Sequence, residues 1–299
     1  MTTARRDARG LVPVLVAAAV AVVGLTPAAP TARALEPAAV HADAASVSGS
    51  RTPNPGVLIA HGPRDQKVIA LTFDDGYDSP VCSALVDELM ATATPATFFP
   101  NAVHVEGSPT LWRHVAALGF PIGNHSTHHP LMSGLPFDRQ LSEIASDRSI
   151  ADRVIGEPTL SVFRPPYGAW DKSTLAAAGA AGYPIVLNWD VTFADSSRRP
   201  DGTPWPTSSY VRAASRGTNG SVVLGHCGSK IDLEALPAVI DGYRSRGFTF
   251  VTVPQLLGLP GARAMRFPTP PPSATPASSP PPTSLGTPPS SRHIDPRRR

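Results

Sequence analysis

Between Lys67 and Leu257, short apolar runs alternate with longer segments whose apolar residues recur at helical spacing. The candidate strands are residues 68–73, 96–99, 121–123, 161–163, 185–189, 222–224 and 248–251. The candidate helices are residues 81–90, 110–118, 138–154, 172–181, 208–215 and 233–246. Repeated strand-then-helix units favour an α/β fold in which helices cover a parallel sheet. About seven strands suit either an open sheet or a small barrel, and in both the active residues gather where strands end.

The amino-terminal part of the chain is predicted to lie outside the folded body. Residues 1–34 combine three early arginines with an apolar run over residues 11–25 and a small-residue pattern at 32–34. This arrangement is typical of a secretory signal peptide. An uncleaved membrane anchor is the alternative, and either one predicts a secreted or envelope-associated protein. Residues 35–65 are rich in Ala, Ser and Pro and are predicted to be a linker.

Residues 261–299 are predicted to be a disordered Pro-rich tail. Eleven of the 35 prolines lie in residues 268–299, and a segment of Pro, Ser and Thr cannot bury enough apolar surface to fold. In an exported protein such a tail could associate with a cell wall, although a tail without any role fits the composition equally well. The remaining residues, 66–260, are enough for one packed domain.

The distribution of charge argues against nucleic acid as a partner. The formal net charge is +3, but residues 1–34 and 268–299 each hold four arginines and one aspartate. Each end therefore carries +3, and the body between the two ends carries −3. A body without net basic charge lacks the electrostatic footprint of a protein that binds nucleic acid.

Two polar clusters directly follow the first and third predicted strands. Asp74 and Asp75 end the motif Thr-Phe-Asp-Asp-Gly, and adjacent carboxylates can divide two roles, one binding a metal and the other acting as a base. A plain Asp-Asp-Gly turn is the alternative. His125, His128 and His129 follow the third strand. Two of these histidines with one carboxylate would form a metal-ligand set that leaves positions open for water, whereas a surface cluster without metal is the alternative.

Three further clusters follow later strands. The run Phe-Arg-Pro-Pro-Tyr-Gly holds Arg164 and Tyr167, and its two prolines stiffen the loop and leave the Tyr167 amide as a donor for a developing oxyanion. Arg164 could pair with a carboxylate of the first motif. Asp195 follows the fifth strand, and His226 ends the sixth. A histidine at a strand end facing such a site is a candidate general acid, with a structural histidine as the alternative.

In order and spacing, these motifs resemble those of the polysaccharide deacetylases of carbohydrate esterase family 4, which share the NodB-homology domain. The resemblance extends from Lys67 to Leu257. Its five motifs are Thr-Phe-Asp-Asp-Gly at 72–76, His-Ser-x-x-His at 125–129, Arg-Pro-Pro-Tyr-Gly at 164–168, an Asp-containing stretch at 189–195 and Leu-x-His at 224–226. It implies a distorted (β/α) barrel and a hydrolase that removes N-acetyl groups from an N-acetylglucosamine-type polysaccharide, such as peptidoglycan or chitin.

The resemblance also implies a metal site. Asp75, His125 and His129 match the family's ligands for a divalent cation, usually zinc, and His128 is then a spacer. The same two histidines and one aspartate also tolerate Co²⁺, Ni²⁺ or Mn²⁺.

Four other residues match the family's catalytic groups. Asp74 matches the catalytic base, Arg164 the residue that orients this base, and His226 the catalytic acid. The backbone amide of Tyr167 matches the oxyanion donor.

The fourth motif departs from the family pattern. Asp195 matches the carboxylate near the catalytic arginine and histidine, but Ser196 stands where the family often has a Trp. In the family that Trp helps to wall the acetyl pocket or packs against the catalytic acid, and our hypothesis is that Trp189 or Trp205 replaces it. The family's glycine after the second strand is also replaced, here by Pro100-Asn101.

The chain has two cysteines, Cys82 and Cys227. Export would permit a disulfide, and closure of the implied barrel would bring its first and late strands together beside the site. A bridge between the two cysteines is therefore one expectation, and two buried thiols are the alternative.

Two other functions stay open at the level of sequence. An O-acetyl polysaccharide esterase could use the same residues, since an ester has a better leaving group and depends less on the acid. A noncatalytic cell-surface carbohydrate-binding protein could use the same scaffold. Such a binder has no need for Asp74, Arg164 and His226 together, which favours an enzyme.

Overall fold

The long strand β2, Val68–Asp75, organises the fold and is buried everywhere except at its two ends. It pairs in parallel with β3 (Ala96–Pro100) and β7 (Ser221–Cys227), and its first residues pair with β8 (Thr249–Phe250). β6 (Val191–Thr192) extends this sheet beyond β7. A near-continuous apolar run in β2 is expected because helices cover both faces of a parallel sheet. This computed structural model describes residues 53–260, Met265 and Phe267, so the predicted signal peptide and nearly all of the predicted tail lie outside the described residues.

A second parallel sheet has the strand order β1-β5-β4. Its strands are β1 (Val57–Ile59), β5 (Ile185–Leu187) and β4 (Val162–Phe163). Two isolated bridges connect β3 to β4 through residues 122–124, and a third joins His61, just after β1, to Ser221 of β7. The strands and bridges thus follow a circuit, in keeping with a distorted barrel, and the predicted parallel α/β class is confirmed.

Eight helices cover the described strands. They are α1 (Ser79–Ala91), α2 (Ala102–Gly107), α3 (Pro109–Ala117), α4 (Phe137–Ile155), α5 (Lys172–Ala180), α6 (Thr207–Ala214), α7 (Lys230–Ser245) and α8 (Val253–Leu256). The six predicted helices are confirmed, each with ends within about three residues of the prediction. The short helices α2 and α8 were not predicted, since one or two turns give no helical period. Within residues 53–260, none of the helices has the length and hydropathy needed to span a bilayer.

One linker prediction and one strand prediction fail for local reasons. β1 lies inside the predicted linker, which is therefore wrong for residues 57–59, because three apolar residues carry no alternation that separates a strand from a linker. Residues 121–123 form only isolated bridges. Pro121 has no N–H to donate to a ladder, which keeps this segment short.

The two ends of the strands have different surfaces. The polar motifs follow the carboxyl ends of β2, β4 and β7. At the opposite end, an apolar cleft of about 530 Å³ lies among residues that begin strands or bridges, including Ile122, Leu160 and Ile185. The polar, carboxyl-end surface is therefore the place to look for chemistry.

Candidate active site

Asp74 and Asp75 lie at the carboxyl end of β2, where the chain turns sharply. Asp75 has a φ of 71°, in the left-handed region that residues with a side chain seldom adopt. Opposite them on β7, Asp74 is in register with His226 and Asp75 with Cys227. Side chains in register on neighbouring parallel strands lie on the same face, so Asp74 and His226 are directed to the same space.

Three side chains place the donor atoms of a metal site together. Nε2 of His125 and Nε2 of His129 lie 3.5 and 3.4 Å from Oδ1 of Asp75, and all three donor atoms lie within 4.8 Å of one another. This Asp75 oxygen is buried and has no hydrogen-bond donor among the described residues. A buried carboxylate oxygen without a donor is unfavourable unless a cation or water meets it. The group therefore fits a divalent cation.

A hydrogen bond fixes the tautomer of His125. Its Nδ1 lies 2.7 Å from the carbonyl oxygen of Arg164, and a carbonyl only accepts, so Nδ1 is the donor. Nε2 is then left with its lone pair directed at the metal position, as in ligating histidines generally. Burial lowers the pKa of His125 to about 3, which keeps the ring neutral and able to bind a metal.

The histidine loop is held by its backbone and by a neighbouring amide. Ser126 and His129 have φ values of 67° and 57°, and Nδ2 of Asn101 donates to the carbonyl of His125 at 2.7 Å. His128 instead places Nδ1 3.0 Å from Glu143, with 66% of its side chain exposed. Of the pairings that the spacing left open, the structure brings together His125 and His129, and His128 lies outside the group.

Arg164 is wholly buried and directs its guanidinium at Asp74. Nη1 donates to Oδ1 of Asp74 at 2.7 Å and to the hydroxyl of Thr72 at 2.9 Å. The guanidinium carbon lies 4.3 Å from the ring centre of Phe99. Burial raises the pKa of Asp74, and the charge of Arg164 opposes this rise by favouring the carboxylate. The predicted pairing of Arg164 with a carboxylate of the first motif is thus present.

His226 is paired with Asp195. Nδ1 of His226 lies 3.0 and 3.1 Å from the two carboxylate oxygens of Asp195. Burial alone would lower the pKa of His226, but the hydrogen bond and charge of Asp195 outweigh it and raise the pKa to about 9. The ring is therefore an imidazolium at neutral pH. With Nδ1 engaged, the Nε2 proton is the one left to donate.

The three predicted substrate-side residues lie at different distances from this centre. Tyr167 is exposed, has a φ of 60°, and its ring centre lies 4.5 Å from that of His129. Trp189 lies beside the same loop, with the Arg164 guanidinium carbon 5.8 Å from its ring centre. Trp205 is 40% exposed and its described contacts are with Arg199 and Tyr210. Tyr167 and Trp189 thus contact residues of the site, whereas none of the described contacts of Trp205 is with a site residue.

Sequence reasoning missed three residues that support the site. Thr72, inside the first motif, accepts a hydrogen bond from Arg164 at 2.9 Å. Asn101, which follows β3, supports the histidine loop through the carbonyl of His125. Asp232, in the first turn of α7, accepts a hydrogen bond from the backbone amide of His226 at 2.6 Å. No motif or spacing marks Asp232, because its partner is a backbone group six residues away.

A disulfide joins Cys82 of α1 to Cys227 of β7, so the expected bridge is present. The Cα atoms are 4.7 Å apart across a sequence separation of 145 residues. The amide of Gly76 also donates to the carbonyl of Cys227 at 2.9 Å. The turn after Asp75 and the strand that carries His226 are thus joined by both bonds.

A base held by a buried arginine, an imidazolium held by a carboxylate and a metal-type donor group at one edge of a parallel α/β fold are typical of hydrolases that activate water. Comparisons with known proteins narrow this class. Residues 61–186 match the family model of polysaccharide deacetylase. A peptidoglycan-N-acetylglucosamine deacetylase of Bacillus cereus is 30% identical over 199 residues, covering 65% of this chain and 90% of that protein. The chain belongs to the polysaccharide deacetylase family.

Two further comparisons agree with this assignment. The peptidoglycan-N-acetylmuramic acid deacetylase PdaA of Bacillus subtilis is 28% identical over 197 residues, covering 66% of this chain and 73% of that protein. The crystal structure of a peptidoglycan N-acetylglucosamine deacetylase superposes with a TM-score of 0.62 at 26% identity, covering 69% of this chain and 95% of that one. The family resemblance and the enzyme class inferred from the motifs are confirmed.

Proposed function

We propose that this protein hydrolyses the N-acetyl groups of an N-acetylglucosamine-type polysaccharide, with peptidoglycan as the favoured substrate. The proposal depends on one observation above all. The unpartnered Oδ1 of Asp75 faces two histidine Nε2 atoms. Asp74 precedes Asp75 on β2 and is in register with His226 on the neighbouring strand β7. The peptidoglycan deacetylase activity for which the two Bacillus relatives are named supports peptidoglycan over chitin.

We propose zinc as the cation held by Asp75, His125 and His129. Two imidazole nitrogens and one carboxylate suit zinc, although Co²⁺, Ni²⁺ and Mn²⁺ accept the same donors. When bound, such a cation supplies a Lewis acid for the acetyl carbonyl and a water molecule of lowered pKa.

The residues of the chain provide the remaining chemistry. Asp74, held by Arg164, accepts the proton of the attacking water. The amide of Tyr167, which donates no hydrogen bond to another described residue, is available to the developing oxyanion. His226 then donates its Nε2 proton to the leaving amine. An amine leaves poorly unless it is protonated, so the raised pKa of His226 favours amide over ester substrates.

We also propose that the protein is exported and that its Pro-rich tail associates with the cell wall. The basic and apolar segments of residues 1–34 and the composition of residues 268–299 support this location. Cell fractionation with and without residues 268–299 would test it, since loss of wall retention is expected only for the shortened chain.

The function is tested by acetate release from purified protein. The substrates are N-acetylglucosamine oligomers and intact peptidoglycan, each with chelator, with added zinc, and with Asp74→Asn as the matched variant. We expect release that depends on metal and falls about 100-fold or more in Asp74→Asn. Metal content of both proteins is measured, because Asp74→Asn should still bind the cation.

Two results would contradict the proposal. Metal-loaded protein that releases acetate only from acetylated xylan would be an O-acetyl esterase. Metal-loaded protein that releases none but retains polysaccharide in a pull-down would be a binding protein.

A further inference from the structure

The backbone amide of His226 faces a side of β7 where the sheet has ended. The carbonyl of Cys227 accepts from Gly76, so the backbone of Cys227 faces β2, whereas the carbonyl of Leu224 accepts from Phe193 on the side of β6. Alternate residues of a strand bond to opposite sides, so His226 also faces the side of β6. That strand stops at Thr192, which is in register with Leu224. The ladder therefore offers no acceptor to the amide of His226.

Asp232 supplies the missing acceptor. Its Oδ2 lies 2.6 Å from the amide nitrogen of His226 and 4.0 Å from Nδ1 of the same residue. The side chain is completely buried, and its other oxygen has no hydrogen-bond partner among the described residues. Ser229 caps α7 by accepting from the backbone of Asp232, not from its carboxyl group. Among the described residues, the backbone amide of His226 is thus the only hydrogen-bond donor to the Asp232 side chain.

We propose that Asp232 is a positioning residue for the catalytic acid, fixing the backbone of His226 while Asp195 fixes its ring. This inference rests on the proposed function, because it assumes that His226 protonates the leaving amine. Two independent carboxyl groups would then direct Nε2 of His226. Asp232 would set the direction of the Cα–Cβ bond, and Asp195 would set the orientation of the imidazole.

The electrostatics of Asp232 point to a neutral acceptor. Burial, and then the nearby charge of Asp195, raise the pKa of Asp232 well above its usual range. The carboxyl oxygen is needed as an acceptor and not as a charge. Asparagine has the same shape and the same acceptor, so Asp232→Asn is a conservative replacement.

The Asp232 carboxyl group packs closely against the backbone of Gly225 in β7. A Cβ at Gly225 would lie 3.0 Å from Oδ2 of Asp232 and 3.0 Å from the ring of Phe73. The absence of a side chain at Gly225 therefore lets the carboxyl group approach the strand.

The test compares two substrates in four proteins: wild type, Asp232→Asn, Asp232→Leu and Asp232→Ser. Leucine fills the same volume, has no acceptor and excludes water. Serine leaves space for a water molecule to reach the amide. The serine variant also keeps the test possible if the leucine variant does not fold. N-acetylglucosamine oligomer is the amide substrate, whose leaving group needs the acid. Para-nitrophenyl acetate is the ester, whose leaving group does not. Both kcat and KM are measured, with thermal unfolding and metal content for each protein.

We expect Asp232→Leu to lower kcat on the amide about 10- to 100-fold with little change in KM, and Asp232→Ser to fall between it and the wild type. Hydrolysis of the ester should stay within about threefold, and Asp232→Asn should stay within about threefold of wild type on both substrates. A selective loss that asparagine rescues is not produced by a general loss of structure.

Three results would overturn the inference. Equal amide activity in the wild type, leucine and serine variants would show that the acceptor is dispensable. Equal losses on amide and ester would assign Asp232 a structural role only. A loss of amide activity in Asp232→Asn as large as in Asp232→Leu would exclude a role for Asp232 as a hydrogen-bond acceptor. A wild type without amide hydrolysis would instead overturn the proposed function, and this inference with it.

Discussion

Asp74 and His226 lie in register on neighbouring strands, and each has one buried partner that favours its charged form. Arg164 stabilises the carboxylate of Asp74 at 2.7 Å, and Asp195 stabilises the imidazolium of His226 at 3.0 Å. Two titratable groups held in opposite protonation states at one site are what general base and acid catalysis requires. At this scale the chemistry depends on the partners as much as on the two groups themselves.

The pH dependence of amide hydrolysis should report on Asp195. His226 donates a proton only in its charged form, so activity should persist up to its pKa of about 9 and fall above it. Asp195→Asn removes the charge that raises this pKa and leaves burial to lower it. We therefore expect the alkaline limb of the kcat profile to move toward neutral pH.

The control for this profile is para-nitrophenyl acetate, whose alkaline limb should not move in Asp195→Asn. An unchanged limb on the amide substrate would contradict the assignment of His226 as the acid.

Replacement of Arg164 should separate the effect of its charge from the effect of its shape. Arg164→Lys keeps a positive charge but cannot serve Asp74 and Thr72 from one nitrogen while Nε donates to the carbonyl of Leu187 at 3.1 Å. We expect kcat to fall about 10- to 100-fold, with metal content unchanged, because the proposed base is misplaced. Steady-state kinetics with metal analysis checks this, and wild-type kcat in Arg164→Lys would mean that charge alone suffices.

At the scale of elements, the helices were predictable and the loops were not. α4 repeats apolar residues at helical spacing, and α5 is rich in alanine and begins at a capping box formed by Asp171 and Thr174. The histidine loop instead depends on left-handed φ values and on Asn101, a side chain from another element. The motifs predicted most of the side chains that lie together at this site, but such long-range hydrogen bonds leave no periodic signal.

The disulfide between α1 and β7 should stabilise both the fold and the site. Removing it in the double variant Cys82→Ala and Cys227→Ala frees a loop of 145 residues in the unfolded state, and we expect unfolding free energy to fall by about 3 to 5 kcal/mol. Because the disulfide lies beside the turn after Asp75, we expect its removal to lower kcat as well. Urea denaturation and amide hydrolysis measure the two effects.

Each single variant serves as a matched comparison for the double variant. A fall in stability with full kcat would contradict the coupling between the bridge and the site.

At the scale of the whole molecule, closure of the circuit of strands and bridges depends on contacts that sequence patterns do not reveal. Arg64 donates to Asp190 at 2.8 Å and to the carbonyl of Asn219 at 2.7 Å, and Asp190 accepts from the amide of Val222 at 2.9 Å. Asp190 belongs to the fourth-motif stretch, yet these bonds give it a structural role. The alternation of strands and helices predicted the class, whereas closure required partners more than 120 residues apart.

Arg64 offers a test of whether closure and catalysis are separable. The pair with Asp190 is partly exposed, with 40% and 22% of the two side chains accessible, so we expect Arg64→Ala to lower the unfolding free energy by only about 1 kcal/mol. Amide hydrolysis should be unchanged at temperatures well below unfolding. Chemical denaturation and kcat/KM check this, and a loss of activity without unfolding would show that closure also shapes the site.

The left-handed residues of the site have a consequence for how this protein can evolve. Of six non-glycine residues with positive φ in the described chain, five lie in the site loops: Asp75, Ser126, His129, Tyr167 and Ala194. Each costs about 1 to 3 kcal/mol that the surrounding structure must offset. Selection for heat resistance alone would therefore enrich glycine at these positions and lower turnover. Variants recovered for faster catalysis should instead stiffen the barrel far from these loops.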